Sequence, residues 1–262
     1  MKIITVHLNN LEGFELTFQS VKHFIIENGD IEWIIKDGIS DTNHLNAIVN
    51  KTKDLPRTKV VSIKDIGVYD AMNQALNLVD DDDLVLFLNS GDRLADDFMK
   101  NHQSGSLCHG DVYYSDTFLG TSHKLLAAPD QIDFSYLLSK TINHQSLIIR
   151  GFYLKKYLFK LNYSIVADWV QLFEIFKNES IRFEKLVFPI CIYEGGGISE
   201  RNDDLRKTQR LEFLKTQYTQ WELNSLMSMS RLRHRPWYSF VIKSLDSPRR
   251  SKLLYFLSKL MR

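Results

Sequence analysis

Residues 84–92, Leu-Val-Leu-Phe-Leu-Asn-Ser-Gly-Asp, place a carboxylate, Asp92, just after five apolar residues. Such a run has the composition of a strand buried on both faces, and ligands of open α/β sheets bind at the carboxyl ends of their strands. A second polar segment, Asp65-Ile66-Gly67-Val68-Tyr69-Asp70-Ala71-Met72-Asn73, turns straight into a helical pattern, and the free N–H groups of a helix start favour phosphate. Together the two segments describe a nucleoside-diphosphate site with one ligand, Asp92, for a hard divalent cation. Asp92 could instead cap a helix from Leu94, and Asp70 and Asn73 could equally be capping residues.

The elements that would position these groups follow from periodicity. Residues 2–9 alternate β-branched and polar residues, and Phe14, Val21, Phe24 and Ile25 then recur at helical spacing. Residues 33–35 and 59–63 form the next short strands, with Leu45, Ile48 and Val49 marking a helix between them. Ala71, Met72, Ala75, Leu76 and Val79 mark the helix before the strand at 84–88. Strand and helix in alternation predict a doubly wound, mainly parallel sheet. Further on, strands are expected at 112–114, 118–126, 146–150 and 186–193, with helical patterns at 151–157, 169–176 and 205–229. These boundaries divide the chain into a catalytic domain at 1–204, a helical extension at 205–230 and a tail at 231–262.

The net charge of +1 conceals two unlike parts, because residues 231–262 hold nine Lys or Arg against the single Asp246. The rest of the chain is acidic, which argues against nucleic acid as a ligand. In the tail, Leu253, Phe256, Leu257 and Leu260 share a helical face flanked by cations, a pattern suited to an anionic membrane surface or to docking on protein. Two cysteines, Cys108 and Cys191, are too few for a disulfide framework, and no run is long enough to span a bilayer. The expected location is cytoplasmic, peripheral on the inner face of the cytoplasmic membrane.

Asp37-Gly38 with Ser40 and Asp41, the 65–73 segment, Phe87-Leu88-Asn89-Ser90-Gly91-Asp92, Asn143-His144-Gln145 and Ala167-Asp168-Trp169 occur in that order. As an ordered set over about residues 1–200, they resemble the small family 2 glycosyltransferases of bacterial surface-polysaccharide biosynthesis. The resemblance implies a glycosyltransferase A-type fold, a nucleotide-sugar donor, a Mn²⁺ or Mg²⁺ cofactor and inversion at the anomeric carbon. The family's metal segment usually carries two or three acidic residues, whereas Asn89 and Gly91 leave Asp92 alone here.

On this resemblance Asp92 is the metal ligand and Asp37 contacts the donor's base or ribose. Thr5, His7 and Asn9 would line the same pocket, with Asp65, Gly67, Tyr69, Asp70, Asn73, Asn89, Ser90 and Gly91 completing the nucleotide-sugar site. For His7 a packed structural role fits as well. Asp168 is the catalytic base, taking the acceptor hydroxyl's proton opposite the departing diphosphate; Trp169 beside it would raise its basicity and stack on a sugar. An N-cap role is the rival for Asp168. His144, Gln145, Trp169 and the glycines Gly196 and Gly197 would shape the acceptor side, where His144 could instead be structural.

The expected function is transfer of one sugar from a nucleotide sugar to a lipid-linked or oligosaccharide acceptor. A nucleotidyltransferase shares the architecture but would want a Gly-rich basic loop after the first strand, and residues 9–13, Asn-Asn-Leu-Glu-Gly, are not one. A non-catalytic nucleotide-sugar-binding scaffold is the third reading, prompted by the thinned metal segment.

Overall fold

The computed structural model describes residues 1–102, 107, 109–195 and 202–230. Strands β1 (Lys2–His7), β2 (Glu32–Asp37), β3 (Thr58–Ser62) and β4 (Leu84–Phe87) alternate with helices α1 (Leu11–Glu27), α2 (Thr42–Thr52) and α3 (Val68–Ala75). The four strands pair in parallel in the order β3-β2-β1-β4. Winding therefore reverses between β1 and β4, and the carboxyl ends at such a switch point open a crevice.

The chain continues through β5 (Arg93–Leu94), α4 (Asp96–Asn101), β6 (Val112–Tyr114), β7 (Thr117–Leu119), β8 (Lys124–Leu126), α5 (Phe134–Ser139) and β9 (Leu147–Arg150). After these come α6 (Gly151–Lys156), α7 (Ala167–Asn178), β10 (Phe183–Lys185), β11 (Cys191–Tyr193), α8 (Asp203–Gln217) and α9 (Gln220–Ser230). Strand β9 joins antiparallel to both β4 and β6, and β10 closes the seven-stranded sheet parallel to β6. A smaller sheet runs β5-β11-β7-β8.

The apolar stripe of α1 is buried as its spacing predicts: Phe14, Val21, Phe24 and Ile25 are all inside. Phe14 lies parallel to Trp33 of β2, with ring centroids 5.9 Å apart. Asn10 caps the helix by accepting from the Gly13 N–H. This packing fixes α1 against the sheet, and through Thr17 it also reaches the turn after β4.

Three sequence expectations are corrected. The strand expected at 118–126 is the β7–β8 hairpin, with His123 at φ 51° in its turn. The strand expected at 186–193 is reduced to β11, which begins after Pro189, a residue with no N–H for a ladder, while β10 ends before the expected range. The helix expected at 205–229 is two helices, because Thr219 and Glu222 cap each other reciprocally and start α9 afresh.

The described residues fall into two compact units, one within Met1–Gln131 and Ile142–Arg201, the other of Ile132–Thr141 with residues 202–230. In the second unit Asp133 caps α5, Phe134 meets Tyr218 edge-on, and Phe213, Leu223 and Leu226 are buried. Residues 132–141 thus group with the helical extension and not with the surrounding sheet. Among the described residues no helix is long and apolar enough to cross a membrane.

Candidate active site

At the carboxyl end of β4 the chain turns through Asn89, Ser90 and Gly91 to Asp92. Gly91 has φ 115°, a conformation that residues with a Cβ rarely adopt. The turn is stapled from α1: the fully buried Thr17 hydroxyl donates to the Asp92 carbonyl at 2.7 Å and accepts the Gly91 N–H at 3.0 Å. Sequence reading missed Thr17, a lone polar residue on an apolar helix face, whose position on that face was the available signal.

Asp92 is 5% exposed. Its carboxylate accepts Gln145 Nε2 at 3.0 Å and the Glu194 N–H at 3.3 Å. Burial pushes its carboxyl up to about 6, against the lowering effect of the Gln145 hydrogen bond and of nearby His144. Glu194 is held in turn by the Arg93 guanidinium.

Asp168 lies in the first turn of α7. One oxygen accepts the Tyr69 hydroxyl at 3.1 Å and the Trp169 N–H at 2.8 Å, while the other faces His144 Nδ1 at 3.4 Å. The far ring nitrogen of His144 is 3.1 Å from the Asn89 amide nitrogen. With that amide donating, the ring proton sits on Nδ1 and points at Asp168. Burial alone would raise the Asp168 carboxyl, but the hydrogen bonds from His144, Trp169 and Tyr69 outweigh it and hold the group below the usual carboxylate range. The expectation that Trp169 raises its basicity is thereby overturned. Asn89, Asp92, His144, Gln145, Asp168 and Tyr69 form one connected polar cluster.

The β1 and β2 ends adjoin this cluster. His7 Nδ1 lies 2.9 Å from the Ser90 hydroxyl, its Nε2 is buried without a partner, and the ring stands edge-on to Phe14. Asp37 is fully buried and accepts the Ser40 N–H, the Ser40 hydroxyl and the Ser62 hydroxyl at 3.0, 2.5 and 2.6 Å. Burial opposes its ionisation, yet these bonds together with His7 hold the carboxyl below its ordinary value. Asn9, at φ 46°, ties this loop down by donating its N–H to the Ser40 hydroxyl and accepting the Asp41 N–H.

Several expected ligand contacts have other partners. Thr5 is fully buried and its hydroxyl accepts the Trp33 indole N–H, since β1 points that side chain into the core. Asp37 presents no open oxygen and shapes the 38–41 loop instead. Asp65 is ion-paired at 3.0 Å with Lys36, a 1%-exposed lysine that sequence reading overlooked, and also accepts the Gly67 N–H. Asp70 caps its own loop by accepting the Ile66 N–H, and the Asn73 amide makes two bonds to the Phe159 backbone. Tyr69 packs against Phe159 and orients Asp168. Gln145 is taken up by Asp92, and Trp169 is wholly inside against Phe173, which removes it as a sugar platform. Gly67, at φ 140°, is exposed, and Ser90 is half-buried beside His7. Gly196, Gly197 and the 231–262 tail lie outside the described residues.

The donor set bears on a metal. Among the described residues no three His, Cys, Asp or Glu side chains gather as metal ligands. A buried carboxylate whose ionisation is held back gains from a cation beside it, and Mg²⁺ commonly takes one or two carboxylates and completes its shell with phosphates and water. Asp92 therefore fits a cation that arrives with a diphosphate better than a resident one.

No protein-family profile and no curated protein sequence matches the chain. Solved structures do. TarS 1–349 of S. aureus superposes with a TM-score of 0.64 at 15% identity, covering 92% of this chain and 74% of that one. The same protein in complex with UDP-GlcNAc also gives 0.64, at 16% identity over 98% of this chain and 80% of that one. The mannosyltransferase PcManGT from Pyrobaculum calidifontis, in complex with GDP-Man and Mn²⁺, gives 0.55 at 11% identity, covering 98% of this chain and 72% of that one. With its mainly parallel seven-stranded sheet and its reversal of winding between β1 and β4, the chain has the glycosyltransferase A-type fold.

Proposed function

We propose that this chain is an inverting glycosyltransferase that moves one sugar from a nucleotide sugar to a lipid-linked or oligosaccharide acceptor in surface-polysaccharide synthesis. The observation that carries the reading is that two carboxylates are bound by consecutive residues: His144 faces Asp168 and the adjacent Gln145 bonds Asp92. The UDP-GlcNAc and GDP-Man complexes of its structural neighbours support a nucleotide-sugar donor.

In this reading the acceptor oxygen attacks the anomeric carbon as the bond to the diphosphate breaks on the opposite face. Asp168 takes the acceptor hydroxyl's proton, and Tyr69 and His144 hold its oxygens in place. Asp92 would hold Mn²⁺ or Mg²⁺, which when bound supplies positive charge to the leaving diphosphate. The basic segment 231–262 would bring the enzyme to an anionic membrane surface; deleting residues 243–262 should weaken binding to anionic vesicles while leaving turnover of a water-soluble acceptor intact.

The test is release of nucleoside diphosphate from a panel of UDP-, GDP- and dTDP-sugars with Mn²⁺ and an oligosaccharide acceptor. Turnover that disappears in Asp168→Asn and Asp92→Ala supports the reading. A panel that yields neither turnover nor binding refutes it.

A further inference from the structure

Ile39 stands in the left-handed backbone region at φ 64°, and its side chain is 56% exposed. A β-branched residue there is a steric outlier, because Cβ and its branches crowd the backbone. Burial does not offset this strain, since the side chain lies largely outside the core. The surrounding loop imposes it. Gly38 donates its N–H to the His7 carbonyl, Ser40 is held three ways by Asp37 and Asn9, and Asp41 is held by Asn9. Gly38 also abuts Asp65 so closely that a Cβ would fall 2.7 Å from its Oδ2. Neither backbone preference nor packing accounts for an isoleucine at this point, and strain of this kind collects at ligand sites.

The place of Ile39 suggests what it meets. It follows β2 at the same sheet end as the Asp92–Asp168 cluster, two residues beyond a carboxylate that is itself sealed off from ligand. We propose that Ile39 is a donor-specificity residue, an aliphatic platform that packs on the flat face of the donor's nucleobase. This rests on the nucleotide-sugar reading above. The chemistry matches: an exposed apolar side chain on a rigid loop gains by covering a planar, weakly hydrated ring, with no ordering cost left for the loop.

Calorimetric titration of the full chain with nucleoside mono- and diphosphates of uridine, guanosine and deoxythymidine, alongside thermal unfolding, tests this. Ile39→Gly should unfold about 2–4 °C higher through relief of the strained backbone, yet bind its preferred nucleotide about tenfold more weakly. Ile39→Ala should lose the same affinity without the gain in stability, and Ile39→Leu should keep it. The loss should be equal for mono- and diphosphate, because the contact is at the base. If wild-type protein binds a nucleotide and Ile39→Gly binds it equally well, or loses only the diphosphate's advantage, the role of Ile39 is overturned while the transferase reading stands. If wild-type protein binds none of these nucleotides, the donor site itself is refuted and the inference falls with it.

Discussion

His144 and Gln145, neighbours in one 3₁₀ turn (His144–Ser146), divide two carboxylates between them: His144 Nδ1 lies 3.4 Å from Asp168 and Gln145 Nε2 lies 3.0 Å from Asp92. The proposed proton acceptor and the proposed cation ligand thus each take one of two consecutive side chains as a partner.

Asp168→Asn keeps the shape of the side chain and removes its ability to accept a proton. It should lower kcat by about 10²–10⁴-fold while donor binding by calorimetry stays near wild type. Tyr69→Phe removes one hydrogen bond to the carboxylate and should cost about tenfold in kcat. Near-normal turnover in Asp168→Asn would remove that residue from the chemistry.

Dependence on a divalent cation should run through Asp92. Chelation with EDTA should lower wild-type turnover, with recovery on adding Mn²⁺ or Mg²⁺. Asp92→Ala should show a low residual rate that added metal leaves unchanged. A variant that still responds to Mn²⁺ as wild type does would place the cation elsewhere.

Lys36 and Asp65 form an ion pair that is nearly sealed from water, with Lys36 Nζ also donating to the carbonyls of Asp37 and Ile63. Lys36→Met leaves a buried carboxylate uncompensated and should destabilise the fold by about 3–5 kcal/mol in urea unfolding. The double variant Lys36→Met with Asp65→Leu should recover most of that loss, since replacing both members of a buried pair is far less costly than breaking it. A single variant as stable as wild type would show that the pair is dispensable.

Asp37 should register in the pH dependence of stability. Its carboxyl is held below the ordinary value in the folded chain, so the unfolded state binds protons more readily. The stabilisation is then complete above the unfolded value of about 3.9 and is lost as pH falls through the lower folded value. Wild type should exceed Asp37→Asn in unfolding free energy at pH 7, and the gap should close as the pH is taken from 5 toward 2. A gap independent of pH would mean that the carboxylate's charge contributes nothing.

The parallel sheet, the order of its first strands and helices, and the strand-end positions of Asp37 and Asp92 were legible from periodicity. The start of α9 was also written locally: Thr219 and Glu222 are a capping box within four residues, overlooked because Leu211, Leu214, Tyr218 and Trp221 continue one helical face across it. Pro189 likewise marked the break before β11. Such features depend on neighbours a few residues apart, which is why pattern alone can find them.

By itself, the sequence determined the periods, turns and caps, and hence which polar residues gather at one end of the sheet. Only the tertiary structure decided which of them are left for a ligand. Thr5 meets Trp33 across 28 residues, Tyr69 meets Asp168 across 99, and Gln145 meets Asp92 across 53. A buried polar group must find a partner wherever the fold brings one, and partners so far apart in the chain are set by strand order and helix placement, which no local pattern encodes.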